Sequence, residues 1–542
     1  MARRKATLFF EADGTFRAST FPTEAPGMLD NAHHHPRTSL VCKEKTLAQR
    51  RFQHRWRAIP SSQKACPHTS NATVDKQNST SDEDTSPPPN PCTVLSAAKT
   101  NPFANYTIPH YAHEAMDHAL SFTWPQCLPT DLDKIVIPFR ASWMQLVMES
   151  PLVLHTFIFA TTKQMLCLRG QKEDDMSQLA VQTLSIHQSV ALNCARNAVE
   201  SLNGPPTDAM ILAVTILAVN GTRPQQVLPQ PHPISPLAKT QSLHLFSMLS
   251  VVEVHARAAA QLVSLKGGLG VVDTYGVRDT LLLSDIYFSS ILGTRPAQIW
   301  PTPVTSLVEA GLHALDASAE RLFLLLGTGF DLFKLDKDLR RVLGLMCDLI
   351  VALDHHVRRE DHPPELSDIV LQRNAVQNKL LWLKPSTNDE LSRENRLNNM
   401  TRIAATIFSD MVLFPLSPVT RIKPRLAGEL RQCLRFPILD IEEYGPPSGF
   451  FLWVLTMGGI AASFTRHRGW YIEKMAEYYS GELLCGSETM LERMASFLWW
   501  ADVCDQPAKL LWAQSREVYN EERGLSGAQH QQQPVITTWN QR

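Results

Sequence analysis

Residues 251–270 read VVEVHARAAAQLVSLKGGLG, and residues 280–292 read TLLLSDIYFSSIL. Leu245, Leu249, Val252, Ala256, Ala259 and Val263 recur at steps of three and four, which lays an apolar stripe along one face of a helix predicted over 241–266. Glu253 and Arg257 stand four apart on another face, where opposite charges support a helix. The tandem Gly267-Gly268 ends it, because a residue without Cβ enters the left-handed conformation that helix termini need. A turn and a second helix over 277–292, carrying the lone Asp285, should follow.

The same period recurs on both sides of this stretch. It predicts helices over 135–148, 151–168, 176–202, 208–219, 307–326, 339–357, 390–413, 428–433, 450–464, 473–479 and 488–502. Few segments alternate with period two, so the predicted fold is all-α: one large multi-helix domain over 106–514. It is flanked by a basic N-terminal arm (1–60), a disordered linker (61–105) and a polar tail (515–542). The linker is rich in Ser, Thr, Asn, Asp and Pro, and it cannot bury enough apolar surface to offset the entropy of ordering. Pro-rich breaks at 222–236 and 358–364 separate neighbouring helices.

Apolar residues make up 44% of the 542, enough for a large core in two or three helical lobes. Ten irregularly spaced cysteines, behind a start that lacks a signal-peptide pattern, suit a reducing compartment and free thiols. The Asn-X-Ser/Thr triplets at Asn71, Asn78, Asn105, Asn220 and Asn399 are then chance rather than glycosylation sites. The uncharged run 446–465 approaches the ~20 residues of a bilayer crossing. Pro446, Pro447, Ser448 and Gly449 are loop chemistry, so the remainder reads as a buried core helix and no membrane is expected. Gly458-Gly459 at its middle would let another helix approach closely.

The net charge of −1 hides an asymmetry: residues 1–64 hold twelve Lys/Arg against five Asp/Glu, a surplus of seven positive charges, and the remainder carries −8. Lys43, Lys45, Arg50, Arg51, Arg55 and Arg57, with Phe52 and Trp56 interleaved, form the one constellation with a nucleic-acid character. Three roles stay open for it: a nuclear-import signal, a helix docked through its aromatics, or weak direct contact with DNA phosphates.

Sites for chemistry are harder to find. His110, His113, Glu114 and His118 evoke a zinc-protease helix, but Asp117 stands where the second His is required, so a polar helix edge is expected. His33-His34-His35, and His355, His356 and His362, read as solvated polar segments, and His255 as a helix-surface or packing residue. The string Lys266-Gly267-Gly268-Leu269-Gly270 follows a helix and lacks the order of a phosphate-cradling loop. Asp174-Asp175 and Glu442-Glu443 read as solvated faces. No catalytic, cofactor-binding or metal-ligating set is identified, and nothing demands an enzyme.

The order of a His-bearing helix, Lys-Gly-Gly-Leu and a helix with a lone Asp resembles the middle of the fungal-specific transcription factor domain. Two later segments look similar to the same family: FLWVLTMGGIAASFTRHRGWY (451–471) and FLWWADVCDQPAKLLW (497–512). Together the matches span roughly 106–514. The resemblance implies a nuclear, or nuclear and cytoplasmic, transcriptional regulator with protein partners of the transcription machinery, a homodimer contact, or a small effector held between helices. Members of the family usually carry an N-terminal six-cysteine zinc cluster. Here Cys42, Cys66 and Cys92 lie 24 and 26 residues apart and no Cys-X-X-Cys occurs, so no such module can be built from them. A non-nuclear helical scaffold, an enzyme with a pocket between helices, and a gene product lacking an upstream zinc cluster are the alternatives.

Overall fold

The computed structural model describes residues 7–10, 16–19 and 110–523, apart from 131, 170–177, 223–226, 302, 384–391, 436–448, 480 and 482–485. The fold is all-α, with seventeen α-helices among these residues. In the basic arm, β1 (Thr7–Phe10) and β2 (Phe16–Ser19) form one antiparallel pair, with Thr7 opposite Ser19 and Phe10 opposite Phe16. The sequence reading placed no strand there, although the intervening EADGT contains an Asp-Gly pair suited to hairpin turns. The linker, the remainder of the arm and residues 524–542 lie outside the described residues.

The first group of helices comprises α1 (His110–His118), α2 (Asp133–Glu149), α3 (Pro151–Leu168), α4 (Gln178–Glu200), α5 (Asp208–Val219), α6 (Leu243–Phe246), α7 (Glu253–Lys266) and α8 (Val277–Leu292). Three of these, α3, α5 and α8, keep the bounds that periodicity predicts. Their starts are set by local chemistry. Ser150 caps α3 ahead of Pro151, and Thr207 accepts from the Met210 amide to cap α5. Helix α3 packs on α4 and α5, and α5 packs on α7.

The long helix predicted over 241–266 is broken. Gln241 and Ser242 take left-handed conformations, with φ of 51° and 52°, and α7 starts only at Glu253. Between these points the backbone bonds laterally: Gly221 N donates to Ser250 O, Ser250 N to Thr222 O and Val252 N to Ala218 O. The apolar stripe is still buried at Leu245, Leu249, Ala256, Ala259 and Val263, so burial follows the pattern while the helix does not. Gly267 (φ 107°) and Gly268 (φ 97°) end α7 as expected, and Glu253 pairs with Arg257.

The second group comprises α9 (Ala317–Leu325), α10 (Lys337–Arg358), α11 (Leu366–Trp382), α12 (Arg393–Phe408), α13 (Ile422–Leu434), α14 (Gly449–Ala461), α15 (Arg468–Tyr478), α16 (Ser487–Met494) and α17 (Ala501–Glu522). Helix α10 is central, with every residue from Leu345 to Leu353 buried. Helix α14 is buried from Phe450 through Ala461, the core role its composition predicts. No described helix is long and apolar enough to cross a membrane. The two glycines of α14 permit close contact: a Cβ on Gly458 would meet the Tyr471 ring at 2.4 Å, and one on Gly459 would meet Leu511 Cδ2 at 2.5 Å. Helices α8 and α11 join the two groups, and one core cluster runs through both. Helix α17 continues past Gln514 to Glu522.

Candidate functional site

Helix α1 does not stop cleanly. It widens into a π turn over Ala119–Thr123, followed by a 3-10 turn over Pro125–Cys127, which places Thr123, Trp124 and Cys127 side by side. A widened turn of this kind re-aims side chains that a regular helix would direct elsewhere. Trp124 and Trp143 of α2 meet with centroids 5.6 Å apart, and both touch Phe157 of α3, at 4.8 Å and 5.4 Å. These rings form one wall of a cavity whose space between atoms, open solvent at its mouth included, is about 680 Å³. Gln164 of α3, Asn220 at the end of α5, Leu243 and Phe246 of α6, and Tyr287 of α8 complete it.

The lining is mostly apolar, and five of the residues that contribute to it also carry a buried polar atom without a partner. Buried and without a hydrogen bond are Thr123 Oγ1, Trp124 Nε1, Trp143 Nε1, Gln164 Oε1 and Asn220 Oδ1. Buried polar atoms are ordinarily satisfied, and five of the unpartnered ones belong to residues of this one cavity. Asn220 is fixed: its Nδ2 donates to Ile216 O at 2.8 Å, and Oδ1, an amide oxygen, is the acceptor left over. By contrast the Tyr287 hydroxyl donates to Phe246 O at 2.9 Å and Thr215 to Ile211 O at 2.8 Å. Burial pushes the Cys127 thiol up to about 12, so it stays protonated and is no nucleophile.

A second polar system supports the cavity from behind. Arg373 of α11 is 1% exposed and has no carboxylate partner among the described residues. It donates to Thr240 Oγ1 (2.6 Å), Gln241 Oε1 (2.6 Å), Asn374 Oδ1 (2.9 Å) and Leu237 O (3.4 Å), and it lies over the Phe414 ring. Gln241 in turn reaches Cys127 O at 3.4 Å, while Ser242 donates to Gln126 Oε1 at 2.8 Å. The strained pair Gln241-Ser242 thus ties the wall at Cys127 and Leu243 to the core of the second helix group.

The residues singled out in the sequence fall elsewhere. Lys43, Lys45, Arg50, Arg51, Arg55 and Arg57 lie outside the described residues, as do His33-His34-His35, Asp174-Asp175 and Glu442-Glu443. His113 and Glu114 are exposed on α1, the expected polar edge, and Glu114 pairs with Arg169 at 3.0 Å. His255 is buried in α7. Lys266 pairs with Asp208 at 3.0 Å, and Asp208 accepts the Asp273 and Thr274 amides, so the Gly-rich stop is pinned to the start of α5. Asp285 accepts the amides of Ala297 and Gln298 at 3.0 and 2.7 Å, a structural role. Asn220 and Asn399 are buried, which agrees with chance triplets.

The tandem His355-His356 requires a correction. Both sit in the last turn of α10, and His355 is wholly buried rather than solvated. His355 Nε2 lies 3.0 Å from Asp361 O and 3.1 Å from Asp316 Oδ2, and its Nδ1 shares a hydrogen bond with His313 Nε2 at 3.0 Å. The Arg358 guanidinium holds the Asp316 carboxyl well below the usual carboxylate range. Among the described residues no group of three or more His, Cys, Asp or Glu is arranged to hold a metal ion. No family model, curated protein or solved structure matches the chain.

Proposed function

We propose that this protein is a transcriptional regulator of the fungal type, acting in the nucleus through its helical domain and its protein partners, with a small effector held between helices. One observation carries the effector: the cavity walled by Trp124, Trp143 and Phe157, where five lining residues keep a buried polar atom without a partner. The three motifs that resemble the family support the regulator. They form the α7–α8 junction, the core helix α14 with α15, and the entry to α17, and α14 packs on both α15 and α17. The basic segment at Lys43, Lys45, Arg50, Arg51, Arg55 and Arg57 supplies import charge or weak phosphate contact in this reading.

The test joins the full chain to a heterologous DNA-binding module and reads a reporter gene, with cellular location followed in parallel. Altered transcription, together with nuclear accumulation lost when Arg50, Arg51, Arg55 and Arg57 become Gln, is the expected result. A native chain that stays outside the nucleus and leaves the reporter unchanged refutes the regulator. That outcome favours a non-nuclear binding module, the second reading.

A further inference from the structure

We infer that the cavity between α1, α2, α3, α5 and α8 takes an uncharged, flat and mainly apolar molecule that offers one hydrogen-bond acceptor and one hydroxyl or amide donor. The inference rests on the effector reading above and adds the chemical class of the effector.

Charge is excluded first. None of the residues lining the cavity is Asp, Glu, Lys, Arg or His. The nearest cation in α3, Lys163, directs its Nζ to the Asn220 carbonyl at 3.2 Å and lies over the Phe159 ring, which is outside the lining. An ionised ligand would lose its hydration with no opposite charge to replace it, the least favourable transfer a pocket can demand.

Shape follows from the rings. Trp124 and Trp143 stand edge to face at 67°, with Phe157 against both, and an aromatic wall of this kind favours a planar guest through offset or edge contacts. Polarity follows from the atoms without partners. An indole N–H can only donate, so Trp124 and Trp143 require an acceptor on the guest. Asn220 Oδ1, a carboxamide oxygen held in place by the Nδ2 bond to Ile216 O, can only accept and therefore requires a donor. The Thr123 hydroxyl can serve either kind of group, and Gln164 Oε1, like Asn220 Oδ1, accepts only. A phenol, or a fused aromatic carrying a hydroxyl beside an oxo group, meets all three conditions; a fatty acid, a nucleotide or a sugar phosphate fails the first.

The experiment uses the full-length protein and three naphthalene probes: 2-naphthol, its anionic relative 2-naphthoate, and 2-methylnaphthalene, read by titration calorimetry and by the unfolding midpoint. Thr123→Val and Gln164→Met are measured beside the native chain, since both keep volume and remove only unpartnered polarity. Expected is saturable naphthol binding, at least tenfold tighter than the naphthoate and tighter than the methyl compound. Naphthol affinity should fall about tenfold in at least one of the variants, the factor a hydrogen bond of ordinary strength supplies. The ligand-free variants should unfold at the native midpoint or above it, because an unpartnered buried group is removed. That second reading separates a binding role from a merely structural one.

Equal affinity for the carboxylate, no binding of naphthol, or variants that lose stability without losing naphthol overturns the inference. The reporter assay decides the regulator independently of these probes. Transcriptional output from a chain that takes the carboxylate refutes the ligand class alone, and naphthol binding without any output refutes the regulator alone.

Discussion

Arg373 donates to Gln241 Oε1 at 2.6 Å, a fully buried guanidinium holding a residue in a left-handed backbone, with no carboxylate among the described residues to neutralise it. Burial pulls the pKa of Arg373 down to about 9, which still leaves it charged at neutral pH. The charge is dispersed over neutral acceptors and an aromatic face, and the planar fork is what lets one side chain reach Thr240, Gln241 and Asn374 together.

Replacing Arg373 with Leu should therefore lower stability by about 2–4 kcal/mol, and Lys should not rescue it, because an ammonium cannot span those acceptors. Urea unfolding followed by tryptophan emission measures the loss. The same variants should weaken naphthol binding, since Gln241 and Ser242 brace Cys127 and Gln126 at the cavity wall. Native affinity in a folded Arg373→Leu protein would sever that connection.

Asp348 gives a pH dependence of definite sign. Burial raises its carboxyl to about 6, although it accepts the Leu307 amide at 2.8 Å. The folded state holds the proton more tightly than the unfolded chain, so stability from this group is complete below about pH 4 and is lost as pH rises through 6. Asp348→Asn should match the native protein near pH 4 and exceed it above pH 6 by on the order of 2 kcal/mol. Denaturant titrations at pH 4 and pH 7.5 compare the two, and an Asn variant less stable at pH 7.5 would contradict this account.

Histidines act in the opposite direction. Burial lowers His187 to about 4, helped by His155, whose Nδ1 faces its own at 2.8 Å; it lowers His313 to about 4 and His232 to about 3. Their neutral forms belong to the fold, so stability is present above pH 6.5 and falls as the unfolded chain becomes able to take the protons. Each should remove on the order of 1 kcal/mol per pH unit between 6.5 and about 4. His187→Gln should flatten the acid limb of the curve by one such increment, which thermal melts over that range would detect.

The two glycines of α14 should separate from an open one. Gly458→Ala drives a methyl into the Tyr471 ring, which is anchored through its hydroxyl to Ala427 O at 2.8 Å, and should destabilise by about 3 kcal/mol. Gly459→Ala meets the more mobile end of Leu511 and should cost about 1–2 kcal/mol. Gly204, with nothing within 4 Å, should accept Ala with little change. Unfolding midpoints rank the three, and an order with Gly204 most sensitive would contradict the packing described.

Much of the fold was legible because its buried faces are apolar and regular. Helices α3, α5 and α8 fall where their periodicity puts them. Helix α11 escaped the sequence reading because its buried face carries Arg373, Asn374, Gln377 and Asn378, polar letters that read as surface. The predicted 307–326 helix shrank to α9, since Gly311 takes φ 67° and Asp316 caps a new start by accepting the Ala319 amide. His355 could not be placed, because α10 is buried far beyond the single stripe its Leu, Val and Ile spacing suggests. The cavity was illegible for a different reason. Its walls are gathered from residues 123 to 287, and only Gln164, an uncharged polar residue within the apolar helix α3, left a local trace.

The polar face of α11 also bears on how kinship with this chain would show itself over evolutionary time. Leu, Ile, Met and Val in a core exchange with one another at modest cost, so most of the interior can drift until its spelling is lost. Arg373, Asn374 and Gln241 cannot drift one at a time, because each would strand the others' donors and acceptors. A distant cousin would therefore be known by a Gln in a strained turn and an Arg-Asn pair some 130 residues later, a signature of three letters that outlasts the hydrophobic ones.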